Sequence, residues 1–224
     1  MNGPCSPHFA TAYEDASGSR ETERLMTTTR LETFADGVFA IAATLLIIDV
    51  GLPEHLQQSL GRELLDIWPQ YLAYAISFAT IGIIWVNHHA VLGQVGRADR
   101  LFLFLNLGLL LTVAFIPFPT RVLAEFVRTD DGRAAALLYG VTMIAMSVTF
   151  LSVWLYASRG GRLLRPDADP RAISGITRSF LPGLPIYAAA TLFAFVSPEG
   201  SAALFGLLAL FYVVSSSALG QRRP

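Results

Sequence analysis

An aspartate inside an apolar run is the first residue of this 224-residue chain whose chemistry needs an account. Asp36 stands in Arg30-Leu-Glu-Thr-Phe-Ala-Asp-Gly-Val-Phe-Ala-Ile-Ala-Ala-Thr-Leu-Leu-Ile-Ile-Asp49. A carboxylate about one turn inside a membrane helix is costly unless it is paired, although the helix N-terminus favours negative charge. A second polar cluster, Trp85-Val-Asn-His-His89, puts an indole N–H, an amide and two imidazoles within about one and a half turns. Arg30, Asp36, Trp85 and His88 could form one hydrogen-bonded network, and Asp36 with His88 could form a proton relay. An interfacial tryptophan with histidines facing headgroups would account for the second cluster without any network. A metal site is disfavoured, because adjacent histidines on a helix point about 100° apart. The single cysteine, Cys5, lies in a Ser/Thr/Gly/Pro-rich tail and no serine stands in a nucleophile motif, so neither redox chemistry nor covalent catalysis is indicated. The chain reads as no enzyme and as needing no cofactor.

The elements that would position these residues are membrane helices. Hydrophobic residues make up 53% of the chain and charged residues only 15%, outside the range of ordinary soluble domains. The apolar residues fall in runs of the roughly 20 residues that cross about 30 Å of hydrocarbon. Six runs qualify: Leu31 to Val50, Tyr71 to Val91, Leu101 to Phe126, Ala134 to Ala157, Phe180 to Val196 and Ala202 to Leu219. The fifth has Pro182 and Pro185 in its first turns. Pro117 and Pro119 should kink or end the third. Pro53 to Trp68 spaces Leu56, Leu60, Leu64 and Leu65 as a short interfacial helix would. Ser158 to Arg178 reads as a basic loop against anionic headgroups, without the interleaved aromatics that a nucleic-acid patch would use.

All 16 positive residues are arginines, and they orient the chain by the positive-inside rule. The tails and even-numbered connections hold twelve arginines against nine acids, and the other side holds four against eight. Both termini are therefore expected in the cytoplasm. The tail, residues 1–29, lacks the layout of a signal peptide and reads as disordered; residues 30–219 form the membrane domain and 220–224 a second cytoplasmic tail. The acidic side could concentrate cations or be ordinary solvated loop.

At about 100° per residue, Gly37, Thr44, Leu45 and Ile48 fall within about 60° of Ile41 on the first helix. Asp36, Ala40, Ala43 and Ile47 form a second face of small residues around one acid, suited to tight packing. Both faces could also simply contact lipid or protein. No tandem repeat is visible, so a symmetric central feature would have to come from several chains.

At these residues the chain resembles a known family. Arg30-x-x-x-Phe34-x-Asp36-Gly37-Val38-Phe39-Ala40-Ile41-Ala42-x-Thr44-Leu45 looks like the signature of bacterial homologues of transmembrane protein 175, relatives of the lysosomal potassium channel. Trp85-x-x-His88 and Pro117-Phe118-x-Thr120 are supporting matches. The resemblance implies an all-α integral membrane protein of six transmembrane helices per subunit. Four copies would form a symmetric oligomer around a central potassium-selective pore lined by the first helices. Ile41 would form the constriction, with Leu45 and Ile48 continuing the apolar lining and Thr44, with Ile41, setting selectivity. Arg30, Asp36, Trp85 and His88 would form the interhelical polar network. One departure is Ala35, where the family has serine, so a network hydroxyl is missing. The implied setting is the bacterial inner membrane, with K+ as permeant ion, copies of the same chain and lipid as partners, and no nucleic acid. The rival from another class is a coupled secondary transporter using Asp36 and His88; a third is a membrane protein without transport.

Overall fold

The structure, a computed structural model, describes residues 28–48, 50–51 and 59–220, with side chains up to Val213. Its elements are α1 (Thr29–Ile48), α2 (Leu60–Asp66), α3 (Trp68–Gln94), α4 (Arg100–Phe115), α5 (Pro117–Phe126), α6 (Gly132–Ser158), α7 (Pro170–Phe180), α8 (Gly183–Phe193) and α9 (Pro198–Gly220). The expected disordered tail, apart from its last two residues, lies outside the described residues, as do Cys5, Asp49, Leu56 and 221–224.

Local signals explain where the helices start and stop. Asp99 caps α4 by accepting the Phe102 N–H at 2.9 Å. Pro69 and Pro170 occupy the first turns of α3 and α7, where a missing N–H costs nothing. Pro117 breaks the third apolar run at Ile116 into α4 and α5, and Pro119 falls harmlessly in the first turn of α5. Hydroxyls inside the apolar helices bond their own backbone: Thr80 to Ile76 O at 2.8 Å, Thr142 to Leu138 O at 2.9 Å and Thr149 to Ala145 O at 2.9 Å. That satisfies them where no water is available.

Among the described residues four stretches are long and apolar enough to cross a membrane: α1, α3, α4 with α5 (Arg100–Phe126), and α6 with the turn after it (Gly132–Gly161). The fifth expected span comes out differently. Its helix, α8, has 11 residues, because the turn at Leu181 and Pro182 takes up the start of the run and a turn after Phe193 ends it. The sixth falls within α9, whose described apolar stretch is Pro198–Val213.

The connection Ser158 to Arg178, expected as a loop, is also corrected. After a 3-10 turn at Arg159–Gly161, where Gly160 and Gly161 both take φ of 67°, the chain forms the 11-residue α7. Asp169 caps α7 by accepting the Arg171 N–H at 2.8 Å. Ile173, Ile176 and Phe180 of α7 pack towards the core, while Arg171 and Arg178 stay exposed. Trp154, fully buried on α6, donates its indole N–H to Thr177 at 2.8 Å. Of the predicted interfacial segment 53–68, Leu60–Asp66 is helical as α2.

The core centres on α6, which packs against α4, α5, α8 and α9, while α1 packs against α3 and α4 at the edge and is the least buried of the four long stretches. At one end the α3–α4 connection meets the segment after α6. Gly96 N–H donates to Leu163 O and Arg165 N–H to Gln94 O, both at 2.9 Å. Arg162 pairs with Asp99 at 2.6 Å, and Tyr156 donates to the same carboxylate at 2.7 Å.

Helices α6 and α8 pack tightly at Gly140, where any side chain would run into Thr191. Gly140→Leu should therefore destabilise the purified protein by about 1–3 kcal/mol, the usual cost of overpacking. Thermal unfolding in detergent reads the loss, and an unchanged midpoint would show that this contact is not tight.

Candidate functional site around α1

The buried residues of α1 are Leu31, Ala35, Phe39, Ala42 and Leu46, a single stripe at helical spacing. The small residues Ala35 and Ala42 let the backbone of α1 come close, while Phe39 and Leu46 fill the space between them. Packing was expected instead on the face of Asp36, Ala40, Ala43 and Ile47. In the subunit Asp36, Ala40 and Ile47 are exposed and Ala43 is half-buried. The seam falls instead where Ala35 and Ala42 allow close approach and the larger Phe39 and Leu46 gain packing contacts. Ala35, the position that departs from the family pattern, sits wholly inside this seam.

The opposite face has no partner among the described residues. Ile41 is 61%, Leu45 42% and Ile48 73% exposed, and Gly37 and Thr44 are exposed beside them. The Thr44 hydroxyl donates its proton to Ile41 O at 2.9 Å. Its oxygen lone pairs are thereby left for whatever lies against that face.

The four polar residues expected in one network are distributed over separate contacts. Trp85 Nε1 on α3 donates to Asp36 Oδ1 at 2.8 Å, tying α3 to α1. His88, one turn further along α3 and buried, is bonded through Nε2 to Asn106 Oδ1 on α4 at 3.0 Å. The amide nitrogen of Asn106 donates to Phe102 O at 2.8 Å, which leaves its oxygen to accept and makes His88 Nε2 the donor. The His88 ring also lies against Phe39 of α1, with centroids 5.5 Å apart. Arg30 is exposed and makes no hydrogen bond or ion pair among the described residues. His89 is exposed, its ring 6.3 Å from that of Trp85.

Asn106 was missed in the sequence, although one amide in the apolar run of α4 is the kind of residue that must find a partner. A second buried cluster was missed as well: Ser77 of α3 bonds Thr120 of α5 at 2.8 Å and Tyr139 of α6 at 3.4 Å. Among the described residues no group of three or more His, Cys, Asp or Glu side chains could hold a metal ion.

Comparison with known proteins gives this geometry its context. The family model described as "Endosomal/lysosomal potassium channel TMEM175" matches residues 30–117, which include α1, Trp85, His88 and Asn106. A potassium channel of Streptomyces collinus is 43% identical over 189 residues, covering 82% of this chain and 90% of the relative. A potassium channel of Chamaesiphon minutus is 38% identical over 194 residues, covering 85% and 96%. Among solved structures, the crystal structure of a lysosomal potassium-selective channel TMEM175 homolog from Chamaesiphon minutus superposes with a TM-score of 0.77 at 35% identity, covering 84% of this chain and 97% of that one.

The two polar bonds made by α3, one to α1 and one to α4, should differ in weight. Asn106→Leu leaves the His88 N–H buried without an acceptor, a loss of about 1–3 kcal/mol. Trp85→Phe removes a bond at an exposed site, and interhelical bonds in membranes average only about 0.6 kcal/mol. Unfolding of the two purified variants should rank Asn106→Leu as the less stable; the reverse order would mean that the Asp36 bond is the principal tie.

Proposed function

The chain belongs to the TMEM175 family of potassium channels, and on that premise we propose that it conducts potassium through a pore lined by α1 from several copies of the subunit. It is an ion channel and not an enzyme. The observation that carries the pore assignment is the unpartnered face of α1. Ile41, Leu45 and Ile48 are exposed from a helix whose other face is fastened to the subunit. Four copies arranged about an axis would bring these faces together and bury them from lipid.

In this arrangement Ile41 forms the narrow apolar constriction, with Leu45 and Ile48 extending it. An ion crosses by shedding part of its hydration, which costs less for potassium than for the more strongly hydrated sodium. Thr44, with its lone pairs free, supplies a ring of oxygens beside the constriction and shares in selectivity with Ile41. Arg30, Asp36, Trp85 and His88 serve as scaffold: the last three hold α1 in register against α3, and Arg30 is available to a neighbouring copy.

Six crossings follow if α8, lengthened by its flanking turns, and α9 complete the count begun by α1, α3, α4–α5 and α6. Both ends then lie on the cytoplasmic side of a bacterial inner membrane, 30–219 being the channel domain between two short tails. The arginine asymmetry supports that orientation, as does the contact between the α3–α4 connection and the segment after α6, which were both assigned to the cytoplasmic side. A coupled carrier would need Asp36 and His88 on one proton path; in the subunit each has a different partner, Trp85 and Asn106.

Reconstituted in potassium-loaded liposomes, the Ile41→Asn variant should raise potassium flux several-fold and narrow its margin over sodium, because an amide wets the constriction. Flux and selectivity equal to those of the unsubstituted protein would remove Ile41 from this role.

A further inference from the structure

Towards the end of α3 far from Trp85, a crevice of about 870 Å³ opens between α3, α5 and α9. Its walls are alkyl and small side chains, among them Leu72, Ile76, Ala203 and Leu210. The hydroxyls it reaches, those of Ser77, Thr120 and Tyr139, already bond one another, so its interior offers no unmet polar group. The lining runs from Trp68 to Ala79 on α3 and from Glu199 to Val213 on α9. At 1.5 Å per residue these stretches are about 18 and 22 Å long, enough to span the roughly 15 Å of hydrocarbon in one leaflet.

The charges lie at one end of this lining. Arg128 stands with its guanidinium carbon 5.9 Å from the centre of the Trp68 ring and makes no ion pair among the described residues. Glu199, in the first turn of α9, accepts the Ser197 hydroxyl at 3.2 Å and no other hydrogen bond among the described residues. Both are exposed, both line the crevice, and they are not paired with each other. Trp68, beside Arg128, is the kind of residue that sits at headgroup level.

An apolar slot one leaflet deep, with a cation and an anion held separately at its mouth, matches a lipid that carries both charges. We propose that this crevice binds a zwitterionic ethanolamine phospholipid, with an acyl chain along α3 and α9, its phosphate on Arg128 and its ammonium on Glu199. The ammonium can donate hydrogen bonds to the Glu199 carboxylate, which a quaternary choline cannot. A glycerol headgroup has no cation and would leave its net negative charge facing Glu199. No residue of α1 lines the site, and the proposal does not depend on the pore assignment.

Native mass spectrometry of the purified full-length protein, given equal amounts of ethanolamine, choline and glycerol phospholipids with identical chains, tests the proposal. The ethanolamine lipid should be retained several-fold over the other two. Glu199→Gln should erase its advantage over the glycerol lipid while binding continues. Arg128→Gln should lower retention of all three, and Ala203→Trp, which fills the slot, should lower it without changing the oligomer mass. Equal retention of the three lipids, a preference that survives both charge substitutions, or no lipid retained because a second copy covers the crevice would each overturn the proposal.

Discussion

Helix α1 is fastened to its subunit by one stripe and must leave the rest of its circumference free. Leu31, Ala35, Phe39, Ala42 and Leu46 form the buried stripe of a helix packed on α3, α4 and α5, and among the described residues the apolar side chains on the other side stay exposed. In hydrocarbon that exposure carries no hydrophobic penalty, because lipid tails are as apolar as leucine. Packing must therefore come from close approach, which the alanines allow, and from polar ties, which cannot be replaced by water. The position of Ile41 relative to the body of the subunit depends on this one seam.

The polar ties are arranged around α3. Trp85 reaches outward to Asp36 on α1, and His88 reaches inward to Asn106 on α4 while its ring supports Phe39. Helix α3 thus connects α1 to the α4–α6 core, and its first half is anchored by Ser77 to Thr120 and Tyr139. Each of these groups would cost free energy if left unpaired in a low-dielectric interior. Among buried side-chain polar atoms of the described residues none lacks a partner.

Much of this was legible beforehand, and the failures have physical causes. The length of the apolar runs gave α1, α3, α4–α5 and α6, because a bilayer imposes a length. Proline placement gave the break between α4 and α5. Periodicity separated Ile41, Thr44, Leu45 and Ile48 from the remainder of α1, but it says only that two faces exist, not which neighbour each meets. The seam was therefore assigned to Asp36 and its small neighbours, when Phe39 and Leu46 hold it. The polar network was read from α1 and the Trp85–His89 cluster alone, so Asn106, a lone amide in the apolar run of α4, was not recruited. Helix α7 was hidden by glycines, prolines and arginines that suggest a loop, although Asp169-Pro170 is a helix start and Ile173, Ile176 and Phe180 have helical spacing.

The central claim is that the exposed face of α1 is the face an ion meets. In a background where the single cysteine is replaced, Cys5→Ser, cysteines placed one at a time along α1 can be challenged with a charged thiol reagent while potassium current is recorded. Block at positions 41, 44, 45 and 48, with none at 35, 39, 42 and 46, is the pattern predicted here. Block confined to the second set, or at neither, would contradict a pore lined by this face.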